Sequence, residues 1–123
     1  MAIAHETAVR NGIADYVVDG VDTGGAGTLE FQTSGDVEVA TLTFSATAFG
    51  AATGGVATAS AITSDSSATG GTVAKFVIKN GSGTAILSGT AGDAGTEDIV
   101  LSSATIGAGD TVSCSSLTYT APA

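Results

Sequence analysis

The spacing of apolar and polar positions along this chain changes once. From about Glu6 to Val21, Val9, Ile13, Tyr16 and Val17 recur at helical spacing, and Asn11, Asp15, Asp19 and Asp22 take the opposite side. The pattern predicts one N-terminal helix within residues 5–22, ended by Gly24-Gly25-Ala26-Gly27. Glu6 and Arg10 form an i,i+4 pair of favourable orientation, worth about 0.2–0.5 kcal/mol. Against this, Gly12 and Gly20 each cost about 1 kcal/mol relative to Ala. Three acids near the C-terminal half oppose the helix macrodipole. Such a helix needs packing support, from its own body or from a partner.

After Gly27 the period becomes two. Leu29 and Phe31 alternate with Glu30 and Gln32, as in a half-buried strand. Ser34-Gly35-Asp36 is a turn. Val37 and Val39 share one phase and Leu42 and Phe44 the other, which predicts a bulge near Ala40-Thr41. Val56 to Ile62 reads as a weak strand of small residues, and Ser64 to Thr72 as a loop. Ala74, Phe76 and Ile78 alternate with Lys75, Val77 and Lys79. Asn80-Gly81-Ser82-Gly83 is the clearest hairpin turn, with Ala85 to Ser88 returning. Gly92 to Asp98 reads as a loop, Ile99 to Leu101 as the start of a strand, and Thr111 to Thr120 as the last strand, with Pro122 closing the chain beyond it.

Seven or eight short strands between Gly-rich turns make the expected fold mainly β: a single domain over 1–123, with an antiparallel β-sandwich, jelly-roll or Ig-like, over 27–123 after the helix. Its core would be thin. The chain is 43% hydrophobic, but its only large aromatics are four Phe and two Tyr. Two sheets about 10 Å apart would suit such side chains.

Charge and inventory narrow the function. Twelve acids against three bases (Arg10, Lys75, Lys79) give a net charge of −9. Nucleic acid and anionic membranes are recognised by clustered Lys and Arg, so neither is an expected partner. Acidity of this kind favours solubility, or attraction to a basic surface. One His, one Cys and no Trp leave too few groups to converge as nucleophile, base and oxyanion clamp, so no enzyme, cofactor or metal is expected. Cys114, in the alternating Val112-Ser113-Cys114-Ser115, reads as a small buried strand residue and lacks the cationic neighbour of a reactive thiol. His5 reads as a capping or surface residue. Asp93, Glu97 and Asp98 share a loop without EF-hand spacing, so a solvated turn is favoured over a calcium site. Met1-Ala2-Ile3-Ala4-His5-Glu6 has neither a basic start nor an apolar run, so no signal peptide is expected. No apolar stretch reaches membrane-helix length.

The run Phe49-Gly50-Ala51-Ala52-Thr53-Gly54-Gly55-Val56-Ala57-Thr58-Ala59, continuing into Ala61-Ile62-Thr63-Ser64-Asp65, is familiar. With Gly70-Gly71-Thr72-Val73-Ala74-Lys75-Phe76, the closing 112–122 segment and the opening Thr7-Ala8-Val9-Arg10-Asn11-Gly12, it resembles small structural proteins encoded among the head genes of tailed bacteriophages. The resemblance covers nearly the whole chain, rests on turn and strand motifs, and carries over no catalytic residue. It implies a virion component, and size and shape favour a capsid decoration (cement) protein. Such a protein would be synthesised in the host cytoplasm and would act on the outer capsid surface. Its implied partner is the major capsid protein, on which it would sit as a dimer or trimer, with edge strands or the helix face buried across a subunit seam. A tail-tube or head-completion component, or a surface-binding β-sandwich module, are the alternatives. A tube protein would usually carry a longer arm, and a sugar-binding module more exposed aromatics. Charge placement makes Arg10, Asp15, Asp19, Glu30 and Phe31 the expected partner contacts.

Overall fold

A computed structural model describes residues 4–121. Met1-Ala2-Ile3, read above as part of the N-terminus, and Pro122 lie outside them. The chain is mainly β, with one N-terminal helix, α1 (Thr7–Asp19), followed by a 3₁₀ turn at Gly20–Asp22. Ten short strands follow: β1 (Thr28–Gln32), β2 (Glu38–Phe44), β3 (Val56–Thr58), β4 (Ile62–Thr63), β5 (Gly71–Thr72), β6 (Lys75–Lys79), β7 (Ala85–Gly92), β8 (Ile99–Val100), β9 (Thr105–Ile106) and β10 (Thr118–Thr120).

Six of them form one sheet in the order β4-β2-β1-β6-β7-β8; β10 pairs with β3 and β5 with β9. The large sheet is mixed, because β8 runs parallel to β7 while every other pairing is antiparallel. The expected run of purely antiparallel strands therefore stops at β7. Thr111 to Thr120 is strand only at its end, with Val112 held by an isolated bridge to Asp65. Ser and Thr side chains alternate there, but the Val112-Asp65 bridge fixes one point and leaves the rest without a ladder.

The sheet's inner face follows from register. Leu42, Leu29, Ile78 and Leu87 lie in one row, and Ala40, Phe31, Phe76 and Gly89 in the next. Leu29, Phe31, Leu42 and Phe44 are almost wholly buried, and the Phe44 and Phe49 rings pack at 5.6 Å. Glu30, Gln32 and Lys79 occupy the other face. Two bulges let consecutive residues reach the interior. Phe31 pairs with Ala40 and Gln32 with Glu38, so Val39 is the extra residue, one position from where the phase change predicts it. Likewise Ile78 pairs with Leu87 and Lys79 with Ala85, leaving Ile86 extra. Ile86 and Leu87 both pack against the core.

The turn after β6 is held as its sequence predicts. Asn80 Oδ1 accepts from Ser82 N and Thr84 N at 3.0 Å, and Gly83 adopts φ 83°. The turn also docks on the segment that ends the helix. Gly81 N donates to Thr23 O, and a Cβ at Gly81 would meet Gly24 C at 2.6 Å, so only glycine allows this backbone approach.

Candidate interaction surface

Helix α1 lies against β3 and β10, and its orientation there is not the one its periodicity predicts. Ala14, Val18 and Val21 are the buried positions. Asn11, Asp15 and Asp22, expected on the solvent side, turn toward the body. Asn11 Oδ1 accepts from Gly55 N at 2.7 Å, Asp15 Oδ1 from Ala52 N at 2.7 Å, and Asp22 Oδ1 from Ala48 N at 2.8 Å. Arg10 Nη2 donates to Ala121 O at 3.1 Å, and the guanidinium covers Gly55, where a Cβ would lie 2.6 Å from Cζ. The physical reason is the Gly/Ala-rich 48–55 loop. It offers backbone N–H groups with few ladder partners of its own, and short Asp and Asn side chains on a helix satisfy them. Small Ala14 lets the helix come close enough to do so.

The consequence is an apolar face turned outward. Tyr16 is 84% exposed and Val9 50%. Ala8, Gly12 and Asp19 are exposed beside them, and Ile13 and Val17 are half-buried at the edge. Gly12 has nothing within 4 Å of where its Cβ would be. Sequence periodicity gathered Val9, Ile13, Tyr16 and Val17 into one face and left open whether the chain's own body or a partner would cover it. The missed signal was the Asn11, Asp15 and Asp22 spacing shared with Ala14 and Val18 beside a glycine-rich loop.

Of the expected contact residues, Asp19 is exposed. Arg10 and Asp15 are engaged with the loop and the C-terminal strand's end, as above. Glu30 is largely buried on the sheet's polar face and pairs with Lys79 at 3.1 Å. Burial alone would raise the Glu30 carboxyl. Hydrogen bonds from Gln32 and Lys79, with the Lys79 charge, outweigh that and hold it below the usual value. Phe31, 1% exposed, belongs to the core and offers no contact surface. It alternates with Glu30, and its phase puts the ring inside. Glu30 bonds within the sheet, to Gln32 and Lys79, whereas the helix side chains bond to the 48–55 loop and Ala121.

The acids of the 93–98 loop turn onto backbone. Asp93 accepts from Ala104 N, Asp98 from Thr90 N, and Glu97 from the N–H groups of Ala94, Gly95 and Thr96. Backbone donors led by Glu97's own N–H hold its carboxyl below the ordinary value against a smaller desolvation effect. Among the described residues no three His, Cys, Asp or Glu side chains are grouped to hold a metal, and no helix is long and apolar enough to cross a membrane. Cys114 is half-buried; burial pushes its thiol up, and Sγ donates to Ser116 O.

Two adjoining clefts, of about 520 and 460 Å³, open between β8 and residues 111–120. They share Asp98, Ile99, Leu117 and Thr118, and Asp98 is the one carboxylate in their walls. Its Oδ2 accepts from the backbone N–H and the hydroxyl of Thr90. No protein-family model, curated protein or solved structure matches this chain. The arrangement that stands out chemically is therefore the clamped helix with its apolar side outward.

Proposed function

We propose that this chain is a non-enzymatic structural protein of a tailed-phage virion, a decoration (cement) protein that binds the outside of the head and bridges major capsid proteins. The observation that carries this reading is the outward face of α1, with Tyr16 84% exposed on a helix clamped through Arg10, Asn11, Asp15 and Asp22. A large aromatic held on a rigid support can dock with little loss of conformational freedom. The head-gene resemblance supplies the setting. In this reading the six-stranded sheet and the layer of β3, β10 and α1 are the two leaves of a jelly-roll or Ig-like sandwich.

Purified protein mixed with undecorated heads of the phage that encodes it, imaged by cryo-electron microscopy, tests the proposal. Regular extra density on the outer shell is the expected result. Smooth shells with the protein left in solution would defeat it and favour a tail or head-completion role, or a surface-binding module.

A further inference from the structure

Resting on the decoration reading, we infer that the outward face of α1 is the docking surface itself, and that the site receiving it on the shell is an apolar slot rimmed by lysine or arginine. Three observations carry this. First, Val9, Gly12 and Tyr16 follow one another at i, i+3 and i+7 on the exposed side of the helix, the spacing by which a helix enters a groove. Second, Gly12 has no reason to be glycine in the fold: its backbone is helical and its Cβ position faces open space. A glycine that weakens its own helix without easing an internal contact makes a notch between Val9 and Tyr16, where another surface can approach the backbone.

Third, the charges select the partner. All three cations are engaged within the chain: Arg10 with Ala121 O, Lys75 with Asp36, and Lys79 with Glu30. Glu6 and Asp19 stand exposed near the two ends of the apolar stripe. A second copy of this chain, with its net charge of −9, would bring like charge against like. A basic rim would be attracted. The sheet edges compete poorly for the same role, since β4 and β8 are each two residues long and offer few backbone hydrogen bonds to an added strand.

Binding of the intact protein to undecorated heads, read by co-sedimentation, tests the inference with four proteins: wild type, Tyr16→Ala, Gly12→Ala and the double variant Glu6→Lys/Asp19→Lys. Tyr16→Ala should weaken binding on the order of tenfold or more, as removal of a central aromatic anchor does. Gly12→Ala should raise the melting temperature yet weaken binding, a combination that misfolding cannot produce. The double variant should bind more weakly and lose much of the salt dependence seen for wild type between about 0.05 and 0.5 M. Unchanged affinity of Tyr16→Ala and Gly12→Ala, with wild type bound, overturns the inference and leaves the decoration reading standing. Failure of wild type to bind defeats that reading and the inference with it. Sedimentation velocity without heads adds a further outcome: a wild-type dimer that Tyr16→Ala dissolves would overturn the inference in favour of a seam between copies.

Discussion

In the central sheet the backbone groups of Leu29 and Phe31 are taken up by β2 and β6, and their side chains are free to build the core. Around α1 the loop amides of Ala48, Ala52 and Gly55 are taken up by side chains, those of Asp22, Asp15 and Asn11. The same need for partners is met by ladder in one region and by carboxylate or amide in the other. This difference explains the composition. A protein with so few large apolar residues and so many Gly-rich turns uses its acids as structural acceptors. Asp65, Asp93, Glu97, Asp98 and Asp110 each hold at least one backbone N–H in the same way. The acids of the 93–98 cluster are among these ties to backbone.

The two regions should fail differently. Phe31→Ala would remove a ring from the centre of the sheet's inner face and should cost about 3–5 kcal/mol, read as a fall in the urea midpoint. A loss under about 1 kcal/mol would mean the sheet is not the stabilising half. The loop region should depend on acceptor chemistry rather than volume. Asp22→Ala strands the N–H of Ala48, which is fully buried, and should cost about 1–3 kcal/mol. Asp22→Asn keeps an oxygen at the same place and should recover most of that stability. Equal loss in both variants would point to charge, not hydrogen bonding, as the cause.

The smallest expected effect is a pH dependence that touches the sheet and the 93–98 loop, not the helix region. Glu30 in the sheet and Glu97 in the 93–98 loop are both held below the ordinary value of 4.5. A depressed folded-state value means that the stabilisation is fully present above pH 4.5 and is lost as pH falls through the lower folded values. Melting temperatures taken between about pH 6 and pH 3 should therefore fall, and fall less in Glu30→Gln and Glu97→Gln. A slope identical to wild type in both variants would assign the acid sensitivity to other carboxylates.

Much of the sheet was legible in the chain. Strands β1 and β6, the Asn80–Gly83 turn and the bulge beside Ala40 all follow from alternation and turn chemistry, which are local. The helix was legible as a helix, but its facing was not. Val9, Ile13, Tyr16 and Val17 make the more apolar stripe, and the stripe that packs is Ala14, Val18 and Val21. Hydropathy ranks Tyr and Val above Asp and Asn for burial and cannot register that a distant loop supplies N–H donors. The 111–117 segment was also misread, because alternation of small polar residues occurs with or without a neighbouring strand.

Local chemistry thus determined α1, β1, β6 and the Asn80–Gly83 turn. Period, turn residues and β-branched or aromatic runs act over a few positions. Two outcomes depended on partners far along the chain: the engagement of Arg10 and the exposure of Tyr16. Each results from which unsatisfied group another segment brings within reach. That is decided only when residues 48–55, 80–83 and 121 have come to lie beside the helix and its end.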